Sequence, residues 1–170
     1  PINYCALRYF NVAGADPEQR TGQSTKGATH LIKVAVEAAT GKRDHVTIFG
    51  TDFATPDGTG VRDYIHVSDL AAAHVHALEK LIAEPTASHI MNCGYGSGFS
   101  VRQVLDAVDR ATNLKIERRF EDRRAGDPDA LIADNSKILA TLPWRPQRGN
   151  LDLIVKDALA WERVLAERSK

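Results

Sequence analysis

Short apolar runs alternate with helical repeats along this chain, and that alternation restricts the folds open to it more than any other feature. YCALRYF (4–10), VTIF (46–49), VRDYIHV (61–67), HIMNC (89–93) and KIERRF (115–120) read as strands. Between the first two, Leu31, Ala35, Ala38 and Ile32, Val36, Ala39 recur at helical spacing, which predicts a helix over Ala28–Thr40 with Gly41 as its C-cap. A second helix, capped by Ser68, carries Ala71, Val75, Leu78 and Ile82 on one face and stops before Pro85. Ser100 and Gln103 form a capping box ahead of Val101, Val104, Leu105 and Val108. A short helix near Ser136–Leu142 ends at Pro143, and an amphipathic one carrying Leu151, Ile154, Val155, Ala158 and Leu159 runs from Asn150. Strands and helices in this order give an α/β protein.

Three polar segments interrupt the pattern. Residues 11–27 read as a long turn-rich loop. Residues 50–60 (GTDFATPDGTG) are too long for a hairpin and form a candidate functional loop. In CGYGSGFS (93–100) a glycine-rich turn joins a strand to a helix, the place where dinucleotide-binding domains hold a pyrophosphate. Its Gly94, Gly96 and Gly98 are spaced G-x-G-x-G, one residue short of the G-x-G-x-x-G fingerprint, although Glu117 stands roughly the right ~20 positions on. A structural turn is the reading that this spacing favours.

Charge and composition exclude several classes. The 22 basic and 22 acidic residues cancel, so no global field favours nucleic acid or an anionic membrane. No apolar run approaches the ~18 residues that span a bilayer, and no signal-peptide pattern opens the chain. Cys5 and Cys93 form no CxxC, which fits two reduced thiols and a cytoplasmic protein. The chain has no initiator Met and opens close to a strand, so we expect upstream sequence to have been cut away.

Among candidate site residues, Arg62 beside the 50–60 loop suits a phosphate, because a guanidinium presents paired donors; a surface pair with Asp63 or Asp52 is the alternative. Arg118, Arg119, Arg123 and Arg124 lie among nearly balancing acids and read either as a solvated edge or as a second phosphate contact. His74 and His76 point apart on a helix and the other histidines have no ligand spacing, so no metal is expected. Asp57 and Asp63 read as turn and strand-edge groups rather than a catalytic carboxylate pair.

LRYFNVAGA (7–15), IFGTDFATPDGTGVRDYIHVSDLAAAH (48–74), Thr29-His30-Leu31-Ile32, MNCGYGSGFSV, RRAGDPDAL and the terminal Trp-Glu together resemble the UDP-glucose 4-epimerase family of extended short-chain dehydrogenase/reductases, across essentially the whole chain. The resemblance implies a fold that is the C-terminal, substrate-binding half of such an enzyme, an incomplete Rossmann-type protein. It makes 1–170 one UDP-sugar-binding unit, with 1–12 belonging to the NAD-binding sheet of an absent N-terminal half. The implied activity interconverts UDP-glucose and UDP-galactose through transient oxidation at C4 by bound NAD, as part of galactose metabolism. Carried over by motif, Phe10 lines the nicotinamide pocket and Asn11 contacts substrate. His30 and Leu31 wrap the nucleotide, and Ile48 and Phe49 hold uracil. Arg62 and Arg124 clamp the diphosphate, Asp127 accepts from the ribose, and Leu131 limits room at the sugar 2-position.

The departures matter as much. Tyr4, Tyr9, Tyr64 and Tyr95 are followed at +4 by Arg8, Ala13, Ser68 and Phe99, so none heads the family's catalytic Tyr-x-x-x-Lys, and no G-x-x-G-x-x-G is present. We therefore expect no catalytic residue in this chain, an NAD site mostly elsewhere, and no activity from the fragment alone. Lys33 stands where many members have proline and reads as surface variation. A UDP-arabinose or UDP-N-acetylglucosamine 4-epimerase is a second reading, against which His66 in YIH favours the glucose type. A non-catalytic nucleotide-binding module is a third. The implied partners are the UDP-sugar, the N-terminal half of the same enzyme and a second copy in a homodimer, with no nucleic acid and no membrane. The strand ALRYF, without its sheet neighbours, should show a free edge and an apolar face.

Overall fold

The computed structural model describes residues 2–168. Pro1, Ser169 and Lys170, the ends of the expected 1–170 unit, lie outside the described residues. The elements run β1 (Cys5–Tyr9), β2 (Asn11–Ala13), α1 (Leu31–Ala39), β3 (Val46–Phe49), β4 (Val61–Arg62), β5 (Tyr64–His66) and α2 (Val67–Ala83). They continue with β6 (His89–Cys93), β7 (Phe99–Ser100), α3 (Val101–Thr112), β8 (Arg118–Glu121), β9 (Ala130–Leu131), α4 (Ser136–Thr141) and α5 (Leu151–Arg168). The α/β alternation is as the sequence pattern predicts.

Pairing is mostly parallel: β1 with β6, β2 with β5, and β3 with β8. Strand β4 sits between antiparallel β7 and parallel β9. Helices α1, α3 and α5 pack together over β3, joining Val36, Leu105, Val108, Ile154 and Leu159 in one core. A second core gathers Ile65, Leu70, Met91, Ile138 and Trp144 between α2, β6 and α4.

Several boundaries differ from the sequence reading. The 11–27 loop opens with a strand, because Asn11–Ala13 pairs with Tyr64–His66. Helix α1 begins at Leu31 rather than Ala28, and the Ala28 carbonyl receives Arg43 Nη2 at 2.9 Å instead of serving the first helical turn. VRDYIHV is two strands in different sheets, broken at Asp63. Helix α2 is capped by His66, whose Nδ1 accepts from the backbone N–H of Ser68 at 3.0 Å; Ser68 is not the cap. With Nδ1 accepting, the ring proton sits on Nε2 and donates to Asp157 at 3.1 Å, and burial holds the imidazole below its usual pKa. Gly14 (φ +77°) passes so close that a Cβ there would lie 2.6 Å from the His66 ring.

The stripe Ala71, Val75, Leu78, Ile82 does not face the core. Leu70, Ala73 and Ala77 rest on the sheet instead, while Val75, Leu78 and Ile82 are 56%, 59% and 72% exposed. Strand β1 pairs only with β6 among the described residues, and Tyr4, Tyr9 and Ile90 beside it are exposed. The free edge and apolar face expected for this strand are thus present. Lys33, expected on the surface, is buried against Glu162 and Glu37, because α5 lies across α1 there.

Asp63 is fully buried and holds three segments at once. Its carboxylate accepts from the backbone N–H groups of Tyr95 (3.1 Å), Gly96 (3.0 Å) and Ala133 (3.3 Å). It is neither an exposed strand-edge group nor a partner for Arg62, the role that the surface-pair alternative gave it. Replacing Asp63 with Ala leaves these three donors without the carboxylate, that of Ala133 in a buried position, and should cost about 2–3 kcal/mol in urea unfolding; a change under ~1 kcal/mol would show that water or other groups replace the carboxylate.

Candidate functional site

Parallel pairing of β4 with β9 sets Arg62 beside the loop that carries Arg124 and Asp127. The two guanidiniums, far apart in sequence, share one carboxylate. Arg124 Nε and Nη2 reach Asp127 Oδ2 at 2.9 Å, and Arg62 Nη2 lies 3.8 Å from Asp127 Oδ1. Arg62 is further fixed by the carbonyls of Val61 (2.8 Å) and Pro128 (3.0 Å). Its side chain is 16% exposed against 61% for Arg124, so one arginine is built into the wall and the other lies at its surface.

These groups open onto a cleft of about 590 Å³. Of the residues singled out in the sequence, it brings together Asn11, His30, Leu31, Phe49, Arg62, Arg124 and Asp127. Three stand apart. Ile48 is buried in the α1–α3–α5 core, because strand alternation turns it inward and sends its neighbours Thr47 and Phe49 to the cleft. Leu131 is exposed on β9, and Phe10 lies between β1 and β2; neither lines the cleft. Thr47, Phe53, Tyr64 and Arg43 line it and were not singled out. The period of two in VTIF would have found Thr47; no local signal marks Arg43.

Arginines stack on the cleft's aromatic side. The Arg124 guanidinium carbon sits 4.8 Å from the centre of the Phe49 ring, and that of Arg123 sits 4.0 Å from Phe53. Gly50 (φ +82°) permits the second stack, since a Cβ there would lie 2.5 Å from Arg123 Cγ. The 50–60 loop is pinned by Asp57, which accepts from Thr59 N (2.9 Å), Thr59 Oγ1 (2.7 Å) and Ser100 Oγ. The predicted Ser100–Gln103 capping box is present in full.

The glycine turn at 94–98 packs against Asp63 and Val61, and Asp63 takes the N–H groups of Tyr95 and Gly96. A Cβ on Gly94 would lie 2.6 Å from Asp63 Oδ2, and one on Gly98 would lie 2.7 Å from Val61 Cγ1. Burial pushes the Tyr64 phenol well above its usual pKa and the Cys93 thiol up to about 12, so neither supplies a base or a thiolate near neutrality. Within the described residues no three His, Cys, Asp or Glu side chains gather as metal ligands, and no helix is long and apolar enough to cross a membrane. The site's chemistry is that of anion and hydroxyl binding beside a flat apolar wall.

A sequence profile of the NAD dependent epimerase/dehydratase family matches residues 1–94. The chain belongs to that family. A UDP-glucose 4-epimerase from Azospirillum brasilense is 55% identical over 161 residues, covering 95% of this chain and 46% of that protein. Among solved structures of this epimerase/dehydratase family, the UDP-glucose 4-epimerase from Stenotrophomonas maltophila, with bound NAD and formylated UDP-arabinopyranose, superposes with a TM-score of 0.93. It is 36% identical and is matched over 98% of this chain and 49% of its own. The Bifidobacterium longum UDP-glucose 4-epimerase, in complex with NAD+ and UDP, gives 0.86 at 36% identity, over 95% and 48%. The chain thus spans about half the length of the relatives it matches.

Asp57 makes the rim of the cleft acid-sensitive. Burial pushes its carboxyl up, but hydrogen bonds from Ser100 and Thr59 outweigh that and leave it below the usual aspartate value. A depressed folded value contributes stability that is complete above the ordinary ~3.9 and is lost as pH falls through the folded value. Asp57→Asn should flatten the acid-unfolding curve below about pH 4 and cost about 1–2 kcal/mol at pH 7; an unchanged acid limb in denaturation against pH would refute the assignment.

Proposed function

We propose that this chain is the UDP-sugar-binding portion of a UDP-glucose 4-epimerase, an isomerase interconverting UDP-glucose and UDP-galactose through NAD-dependent oxidation at C4. The observation that carries this is the pair Arg62 and Arg124 on a shared Asp127 at the wall of a cleft that also presents Phe49. A diphosphate needs cationic donors on two sides, and a guanidinium is suited to each. A pyrimidine needs a flat apolar face, which Phe49 offers, and a ribose hydroxyl needs an acceptor, which Asp127 offers. The volume is in the range that buries a ligand of nucleotide-sugar size. The resemblance in the motifs and the named relatives support the same reading.

The described residues do not fit an NAD pyrophosphate. The one glycine-rich strand-to-helix turn is filled by Asp63, Ala133 and Val61, and no tyrosine heads Tyr-x-x-x-Lys. In this proposal NAD and the catalytic base belong to the remainder of the family fold, whose strands would extend the free edge of β1. The α2 stripe and the exposed Tyr4, Tyr9 and Ile90 are apolar surface of the kind such a remainder would cover. Phe10 would then approach the cofactor from this half. Cytoplasmic residence, a place in galactose metabolism and dimerisation of the whole enzyme are parts of the same proposal. The sugar itself is the open element. The Stenotrophomonas relative was solved with a UDP-arabinopyranose derivative, and a diphosphate grip of this kind would equally accept UDP-arabinose or UDP-N-acetylglucosamine.

The test is calorimetric titration with UDP and with uridine. Arg62→Ala and Arg124→Ala should each weaken UDP by about tenfold or more while uridine binding stays within about twofold, since only UDP carries the diphosphate. Equal losses for both ligands would sink the clamp assignment. The 170-residue chain alone should show no epimerase activity; turnover of UDP-glucose by it would overturn the division of labour proposed here. A protein carrying this chain that binds UDP yet epimerises no UDP-sugar would favour the non-catalytic module.

A further inference from the structure

Behind the cleft lies a chain of paired charges, buried at Glu162 and Lys33 and about a third exposed at Lys42 and Arg43, that the nucleotide grip does not use. Glu162 on α5 is 1% exposed and pairs with two ammonium groups, that of Lys33 on α1 and that of Lys42 at 2.6 Å. Lys33 also lies 3.4 Å from Glu37, one turn further along α1. Glu37 receives Arg43 Nε at 2.5 Å, and Arg43 Nη2 donates to the Ala28 carbonyl at 2.9 Å. Ala28 opens the run Ala28–Leu31, all of which lines the cleft. A second line starts one residue earlier on α5. Trp161 Nε1 donates to the Gln23 carbonyl at 3.2 Å, and the Gln23 side-chain nitrogen lies 2.9 Å from His30 Nδ1. An amide nitrogen only donates, so Nδ1 accepts and the His30 proton resides on Nε2, which is a donor.

Burying Glu162 and Lys33 costs desolvation that an apolar pair of similar volume would avoid. What charge adds is direction. With Lys33 neutralised by Glu162, Glu37 is left to hold the Arg43 fork, and that fork fixes one carbonyl of the cleft wall.

We propose that Glu162 and Trp161, neither of which lines the cleft, are positioning residues for its Ala28–Leu31 wall, acting through Lys33, Glu37 and Arg43 on one side and through Gln23 on the other, and so set the affinity for a nucleoside diphosphate. This rests on the UDP-binding reading above.

The discriminating experiment uses the protein carrying this chain and compares Glu162→Gln with the double variant Lys33→Met/Glu162→Gln. In the single variant Lys33 loses its buried partner and draws Glu37 away from Arg43, so UDP should bind about tenfold more weakly. Removing Lys33 as well frees Glu37 again and should restore UDP affinity to within about twofold, whatever happens to the melting temperature. A role confined to stability predicts instead that affinity stays constant in every folded variant. A folded Glu162→Gln with unchanged UDP affinity, or a double variant as weak as the single, overturns the proposal. Should Glu162→Gln fail to fold, Glu37→Gln releases Arg43 directly, and the same loss is required of it. Amide hydrogen exchange at Val34, whose N–H donates to the His30 carbonyl of this wall at 2.9 Å, needs no ligand. It should quicken in Glu162→Gln and in Trp161→Phe, which keeps the ring but loses the Nε1–H, and it should recover in the double variant. If wild-type protein does not bind UDP, the functional reading fails, while the exchange pattern still decides the positioning claim.

Discussion

The carboxylate of Asp63 is the point at which this architecture is tied together. It is sealed from solvent and satisfied by three backbone N–H groups, two from the turn after β6 and one from the segment after β9. Its own N–H donates to Leu131, and its carbonyl accepts from Asn11. The residue thereby interrupts what would otherwise be one strand and hands the chain from one sheet to another. Arg62 on one side of the break and Tyr64 on the other both line the cleft, and Tyr64 also belongs to the core. Gly94 follows from the same bond, since any side chain there would occupy the space of the carboxylate.

The two arginines of the cleft are unequal by construction. Arg62 is held by two carbonyls in a rigid β-ladder, which fixes one cationic point of the site before any ligand arrives. Arg124 lies on a loop, over the Phe49 ring, with Asp127 as its polar anchor. The inner donor is thus held by backbone and the outer one by side chains. The acidic partner keeps the unliganded site from presenting two bare charges to each other.

Much of this was legible in the sequence, and the failures have identifiable causes. The α/β alternation and the Ser100–Gln103 box rest on local chemistry, and they were read correctly. The glycine turn also reads as structural, from its spacing, the Ser100 cap after it and its place late in the chain, and Asp63 packs against it. Ile48 was taken with Phe49 because the two are adjacent in a motif, although adjacent strand residues face opposite sides. Ser68 looks like the cap of α2, but the helix begins at Val67, and the imidazole of His66, a residue type not usually favoured for capping, accepts from the N–H of Ser68 itself. Lys33 looked like surface variation because its partner, Glu162, is more than a hundred residues away. The α2 stripe has perfect helical spacing and still lies exposed, since periodicity reports that a face is apolar and not what covers it.

The hydroxyl of Ser100 performs two tasks that usually fall to separate groups. It accepts from Gln103 N to close the first turn of α3 and donates to Asp57 to hold the 50–60 loop. A hydroxyl has one proton to give, and this one joins the helix start to the loop beside two further bonds, from Val101 N to the Gly60 carbonyl at 3.2 Å and from Arg102 N to Thr59 Oγ1 at 3.4 Å. The loop whose Phe53 and Gly60 line the cleft is therefore fastened to the first turn of a helix whose body, at Leu105 and Val108, lies in the hydrophobic interior.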